Sequence, residues 1–320
     1  MTDNKPIVRE KTARNANTLG LSALFSLGIL AAVAPFRIDL YLPAFPAMTE
    51  ELNTTATGVQ LSLTAFLVGA GIGQVVFGPL SDRIGRLIPL HFGLVLFLTA
   101  SIVAVFSRNI EILVASRLAQ GLGGAAGMVI GRAMVLDKEK GAAAAKALSI
   151  MMLIGGIAPV AAPLTGSFLA DTIGWRGLLG IVACIGVISV VSTLLFIRET
   201  LPKTERAQSA QTSMSNPIKA LASRGYIGNV VAFAFAMAIM MSYISASPFV
   251  YQNMIGLGTV GYGIAFAINA IGMVVLTGIS ARMAGRVTSF ALTLIGLSIS
   301  LTAIVVITVL TFSKAPAVWV

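Results

Sequence analysis

Nine apolar runs dominate the chain, near residues 19–42, 58–79, 88–107, 112–134, 147–170, 177–197, 227–250, 260–280 and 289–312. Each has the ~20 residues an α-helix needs to cross a hydrocarbon core of ~30 Å. No water is available there to satisfy the backbone, so the runs must be helices that close their own hydrogen bonds. The expected fold is an all-α integral membrane protein with nine transmembrane helices. Charge agrees: 57% of the 320 residues are hydrophobic and only 11% are charged, against roughly 25% in a soluble domain.

The net charge of +10 is scattered over loops between the apolar runs, so it reports topology and not a nucleic-acid-binding face. With a cytoplasmic N-terminus, sixteen Lys and Arg residues fall in inner tails and loops, and only Arg108, Arg176 and Lys314 fall outside. The reverse orientation inverts that bias. Arg37, Arg117 and Arg132 lie within spans. Residues 1–18 read as a polar cytoplasmic tail, because the run that follows is too long for a signal peptide. Residues 198–226, the longest polar interruption, read as a cytoplasmic linker between a six-helix bundle at 19–197 and three further helices at 227–320.

The second span of each part is followed by a related hairpin: Asp82-Arg83-Ile84-Gly85-Arg86 in the first and Arg282-Met283-Ala284-Gly285-Arg286 in the second. This is the mark of a parallel internal repeat. Two three-helix units in the first part and one in the second leave the C-terminal bundle incomplete, and the chain reads as C-terminally truncated. In the first hairpin, Gly78 and Pro79 are expected to loosen the end of a span, and Arg83 and Arg86 to hold the turn on the positive side. An ordinary stop-transfer turn accounts for the arginines but not for Asp82 or the spacing of Gly78 and Gly85.

Chemistry concentrates in four spans. Arg37 and Asp39 sit in the first, between Pro35 and Tyr41; such charges cost roughly 2.5–3.5 kcal/mol each and normally face a partner or an aqueous cavity. Asp39 is the leading candidate for coupling or for contact with a cationic substrate, the competing reading being an interfacial pair beside Tyr41. Arg117 and Gln120 in the fourth span share a helix face one turn apart, positioned to meet a carboxylate. Gly123, Gly127 and Gly131 make a bare stripe suited to close helix packing. In the fifth, Gly155, Gly156, Pro159, Pro163 and Gly166 imply a helix that bends and packs tightly. Tyr243, Ser247 and Gln252 of the seventh, with Tyr41, are candidates for lining a cavity. Cys184 and His91 are single, and no metal cluster, nucleotide loop or catalytic triad is present. Gly256, Gly258 and Gly261 lack the strand-to-helix context of a dinucleotide site. The expectation is a non-enzyme with no cofactor or metal, energised by an ion gradient.

Taken together, Ile38-Asp39-Leu40-Tyr41-Leu42-Pro43-Ala44, residues 78–86 and 117–124, Ala158-Pro159 with Pro163 and Gly166, Gly174-Trp175-Arg176, Glu199-Thr200-Leu201 and Ser247-Pro248-Phe249 resemble the Bcr/CflA drug-resistance group of the major facilitator superfamily. That group includes bicyclomycin and chloramphenicol efflux pumps. The resemblance implies two six-helix bundles around a central cavity, and alternating access with drug/proton antiport by a monomer in the bacterial inner membrane. Its partners would be a small amphipathic drug, protons and the lipid bilayer. It further implies that Asp39 contacts substrate or proton, that Arg117 supports coupling, and that the fifth span is the antiporter helix. Asp82 would engage a helix late in the second half. Two residues depart from the pattern: Arg37 puts a positive charge beside the carboxylate, which is expected either to ease ionisation of that carboxylate or to favour less cationic substrates, and Ala158 stands where the antiporter signature has glycine. With three helices missing, the chain alone is expected to transport poorly. A metabolite transporter of the same fold and a non-transporting receptor or assembly protein remain open alternatives.

Overall fold

The computed structural model describes residues 21–202, 206, 224–283 and 286–312. The expected N-terminal tail, most of the linker, and Ala284 and Gly285 of the repeated hairpin lie outside the described residues. The helices are α1 (Leu21–Asp39), a 3-10 turn (Leu42–Ala44), α2 (Phe45–Glu51), α3 (Ala56–Ile84), α4 (Leu87–Val105), α5 (Ile110–Lys138), α6 (Gly141–Phe196), α7 (Arg224–Phe249) with a π turn (Val250–Met254), α8 (Thr259–Met283) and α9 (Ser289–Phe312). Among the described residues six stretches, including Ala158–Phe196 and Tyr226–Met254, are long and apolar enough to cross a membrane; Gly141–Met152 and Phe290–Val306 are shorter apolar helices.

Local chemistry sets the boundaries. Thr55 caps α3 by accepting from Gly58 N at 3.1 Å, and Asn109 caps α5 by accepting from Ile112 N at 2.9 Å, each satisfying a backbone donor left orphaned at a helix start. The fifth and sixth spans, taken together as α6, are two helices divided at Gly174, whose φ of 64° and ψ of 178° are open to glycine and costly for other residues. The first hairpin differs from expectation. Gly78 and Pro79 do not end α3, which runs on to Ile84. Proline removes one donor to the preceding turn; beyond it Ser81 Oγ donates to Gly78 O at 2.8 Å and Gly85 N to Ser81 O at 3.2 Å. The turn itself is made at Gly85, φ 102°.

Helices α1–α6 pack into one bundle. Side chains are absent where α3, α4 and α5 cross: a Cβ at Gly121 would meet the carbonyl oxygen of Phe66, one at Gly69 that of Leu118, and one at Gly123 that of Gly93. The C-terminal helices are held differently. Helix α8 buries only Tyr262, Gly263, Phe266, Ala267 and Ala270, all toward its start, and α9 has no buried residue among those described.

Candidate functional site

Three charged side chains are buried between the spans of the bundle: Arg37 at 2% exposure, Asp39 at 5% and Arg117 at 0%. The three differ in how they are satisfied. Arg117 donates through Nη1 to Gln120 Oε1 and through Nη2 to Arg37 O at 2.7 Å. Its guanidinium lies 4.5 Å from the ring centres of both Tyr41 and Phe66, a cation held between two aromatic faces. Gln120 Nε2 in turn donates to Ser101 Oγ at 2.7 Å. The spacing of Arg117 and Gln120 thus brings them together, but on each other and on the α1 backbone and not on Asp39. Arg37 points into the bundle, 4.5 Å over the Phe97 ring and into the space left by Gly124.

Arg117 Nε is nevertheless buried without a partner, and so is Asp39 Oδ1, which accepts no hydrogen bond from the described residues, a condition that costs roughly 1–3 kcal/mol. A group left in that state calls for an explanation. Tyr262 of α8 lies within electrostatic reach of Asp39, and its hydroxyl stands 3.3 Å from Ser247 Oγ. Around Tyr262, Phe266 and Tyr251 have ring centres at 5.8 and 6.1 Å, and Tyr243 stacks on Phe266 at 6.1 Å. Tyr262 and Phe266 were not singled out from sequence; an aromatic recurring after four residues in a glycine-rich apolar run was the available signal.

Two expected cavity residues serve as structure instead. Tyr41 is fully buried, with its hydroxyl 3.2 Å from Ser62 Oγ and its ring against Arg117, so it holds the arginine and lines no opening. Gln252 Nε2 donates to Pro43 O at 2.9 Å. That bond belongs to a set joining α7 and α8 to the bundle at the end opposite the basic hairpin. Gln60 Nε2 donates to Ser245 O at 3.2 Å, Thr259 Oγ1 to Asp171 Oδ1 at 2.9 Å, and Phe45 packs on Phe249 at 6.0 Å. The fifth-span segment joins this seam: Gly166 abuts Leu40 O, while Gly263 of α8 abuts Ser167 and Pro163 O. Pro163 is buried, Pro159 half-buried, and Gly156 has open space beside it; the surroundings of Gly155 lie outside what is described. Toward the basic end the faces of α7 and α8 are exposed. The described contacts of α7 and α8 with the bundle thus gather at the end opposite the basic hairpin.

The basic hairpin holds a second charged cluster. Arg86 pairs with Asp82, in its own hairpin and not in a distant helix, and with Asp137 Oδ2 at 3.0 Å. Thr200 Oγ1 also donates to Asp137, at 2.7 Å. Burial pulls the Arg86 pKa down, but the hydrogen bonds and charges of Asp137 and Asp82 outweigh it and raise it. Arg83 is exposed. Glu199 reaches back across the chain to accept from Arg86 N at 3.0 Å and Leu87 N at 3.3 Å, capping α4 where Arg86 supplies no side-chain cap. Burial pushes the Glu199 carboxyl up, while the N–H groups of Arg86, Leu201 and Leu87 and the Arg206 charge together hold it below the usual glutamate range. At the opposite end Glu51 accepts from Trp175 Nε1 at 2.5 Å and pairs with Arg176, which also donates to Ser107 O at 3.0 Å. Asp137, Glu199, Arg206 and Glu51 escaped functional assignment from sequence, because each acts on a partner far along the chain.

The sequence profile described as Major Facilitator Superfamily matches residues 27–320. Similar proteins include "Uncharacterized MFS-type transporter YdgK" of Bacillus subtilis (strain 168), 36% identical over 299 residues, 92% of this chain and 74% of that one. A "Bicyclomycin resistance protein homolog" of Haemophilus influenzae is 25% identical over 86% of this chain and 70% of its own length. A "Chloramphenicol resistance protein" of Pseudomonas aeruginosa is 31% identical over 80% of this chain and 59% of its own. Across these three the chain spans 59% to 74% of the relative's length. Among solved structures, a D-xylose-proton symporter superposes with TM-score 0.63 at 15% identity, over 83% of this chain and 69% of that one. A bacterial homologue of the human lysosomal transporter Spinster, inward-facing and unoccupied, superposes with TM-score 0.66 at 16% identity, over 83% and 63%. These two likenesses concern the fold.

Proposed function

The chain belongs to the major facilitator superfamily, with relatives of the Bcr/CflA drug-resistance type, and on that premise we propose that it exports small amphipathic drugs across the bacterial inner membrane in exchange for protons. The observation that carries the reading is Asp39. A buried carboxylate oxygen with no partner, at the end where α7 and α8 attach to the bundle, is a place where a proton and a substrate donor compete for one acceptor. Such competition is what antiport needs: each ligand's arrival displaces the other.

In this reading the basic hairpin and the N-terminus lie on the cytoplasmic side, because lysine and arginine are concentrated there, and the conformation described is open to the cytoplasm. Residues 19–197 and 227–320 act as two units joined by the linker 198–226. Tyr262, Ser247 and Phe266 belong to the substrate site with Asp39, and Arg117 and Gln120 fix the α1 backbone next to it. The electrical part of a proton gradient supplies ~2.3 kcal/mol per charge per 100 mV, enough to drive uphill export.

The test is drug-stimulated proton movement in everted vesicles, comparing this chain with a version carrying three C-terminal helices from a related pump, each with and without Asp39→Asn. Little flux from the short chain, and in the extended one drug-dependent flux that vanishes with Asp39→Asn, is the expected result. Flux that survives Asp39→Asn, or an extended chain that moves no protons with any drug of this class, would overturn the reading.

A further inference from the structure

Resting on the efflux reading above for its purpose, we propose that Gln252 is a positioning residue: it latches α7 to the turn that follows Asp39, and that bond breaks when the two parts separate at the end opposite the basic hairpin. Both sides of the bond sit where proline has interrupted a helix. Pro46 has no N–H with which to bond Pro43 O three residues back, so the 3-10 turn Leu42–Ala44 leaves that buried residue's carbonyl short of the donor such a turn uses. On α7, Pro248 cannot bond Ile244 O; Ser247 Oγ donates to it at 3.0 Å instead, and the helix widens into the π turn Val250–Met254. Single π turns are rare and gather at functional positions. From that turn Gln252 Nε2 donates to Pro43 O at 2.9 Å, across 209 positions.

The turn beyond Asp39 is thus held from two directions. Gly166 of α6 abuts Leu40 O from within the bundle, and Gln252 takes Pro43 O from α7. The first tie stays when α7 moves; the second does not. Pro43 is buried, and a buried carbonyl that loses its donor is costly unless water replaces it, so separation brings water to the turn beside Asp39. Two further ties share the seam, Gln60 Nε2 to Ser245 O at 3.2 Å and the exposed Thr259 Oγ1 to Asp171 Oδ1 at 2.9 Å. Behind them Ser167 is 1% exposed and packed against Gly263 of α8, its Oγ without a partner among the described residues. Ser62, Ser101 and Ser116 all donate to carbonyls of their own helices. Ser167 loses no bond when the seam opens and gains access to water, which leaves the bonds across the seam, Gln252 foremost, to oppose opening.

The test reads N-ethylmaleimide modification of the purified full chain in lipid nanodiscs, in a Cys184→Ser background with one buried reporter at a time, Ser167→Cys on α6 or Ala267→Cys on α8. A buried thiol reacts at a rate set by how often its surroundings open. Gln252→Met keeps the length of the side chain and removes the donor. It should raise the rate at both reporters by about fivefold or more. Thr259→Val, at an exposed bond, should raise it less, and Thr277→Val, which removes a bond that α8 makes to itself, should leave it unchanged. Unchanged rates in Gln252→Met overturn the latch, and so does an equal rise in Thr277→Val, which would mean general loosening. A native chain whose reporters react as fast as in detergent-denatured protein overturns it too, since nothing would then be latched. The reporters lie on separate parts, so if one variant misfolds the other decides. Because reactivity is measured and not transport, a seam that opens as expected in a protein whose extended version moves no protons would sink the efflux reading and leave the latch standing.

Discussion

The glycines of the two parts of the chain are put to opposite uses. In α5 and α6, Gly121, Gly123 and Gly166 each face a neighbouring backbone carbonyl, whereas Gly228, Gly272, Gly278 and Gly296 have nothing within 4 Å of where a side chain would begin. The N-terminal bundle is closed on itself, backbone against backbone. The C-terminal helices contribute a covering surface and lean on the bundle mainly at one end, through Gly263, Ser245 and Gln252. The unpartnered carboxylate oxygen lies in the more closely packed part, and what covers it comes from the part with fewer ties. A transporter needs that arrangement: a fixed reactive group and a partner able to move off it.

The largest effect expected from this contrast is functional. Asp39→Asn should abolish drug-dependent proton flux in the extended chain, a loss of about a hundredfold or more, without lowering the melting temperature, since it removes an unsatisfied buried charge. Tyr262→Phe should reduce flux only several-fold, losing one hydroxyl. Vesicle flux and thermal melts on the same preparations decide it. If Tyr262→Phe is as damaging as Asp39→Asn, the division between a reactive part and a covering part fails.

Next come the glycines themselves. Gly121→Ala must push α5 away from Phe66 O, and overpacking of this kind costs about 1–3 kcal/mol. Gly272→Ala meets no atom in the described structure and should be neutral or stabilising by up to about 1 kcal/mol through helix propensity. Chemical denaturation in detergent measures both. Equal destabilisation would mean that the exposed face of α8 is occupied in the working protein.

The legible part of the molecule was whatever repeats locally. Apolar length gave away the spans, and the three-residue spacing of Arg117 and Gln120 announced their shared face. At the hairpin, Gly78 and Pro79 are helix breakers by composition, yet α3 continues past them to Ile84, which propensity alone does not report. Contacts such as Glu199 with Arg86 N, or Arg37 with Gly124, join residues about ninety or more positions apart. No period or spacing encodes them.

A smaller and pH-dependent effect is expected at the hairpin. The folded Glu199 carboxyl titrates below its ordinary value, so its contribution is fully present above the unfolded glutamate pKa of about 4.3 and is lost as pH falls through the folded value. The melting difference between the native chain and Glu199→Gln should therefore be greatest above about pH 5 and shrink on further acidification. A difference that grows toward acid would refute the capping role assigned to this residue.

The smallest effect should be at Glu51, although it ties three loops of the bundle. Both partners in its ion pair are exposed, Glu51 at 50% and Arg176 at 38%, and pairs so placed contribute about 0–1 kcal/mol. The more protected bond is the one from the buried Trp175 indole to Glu51 Oε2, and glutamine keeps an oxygen there. Glu51→Gln should thus cost less than Glu51→Ala, with the gap between them measuring the indole bond and insensitive to salt. If instead the two variants are equal and high salt mimics both, the ion pair is the working contact, and this end of the bundle is held by surface charge in the way its basic hairpin is not.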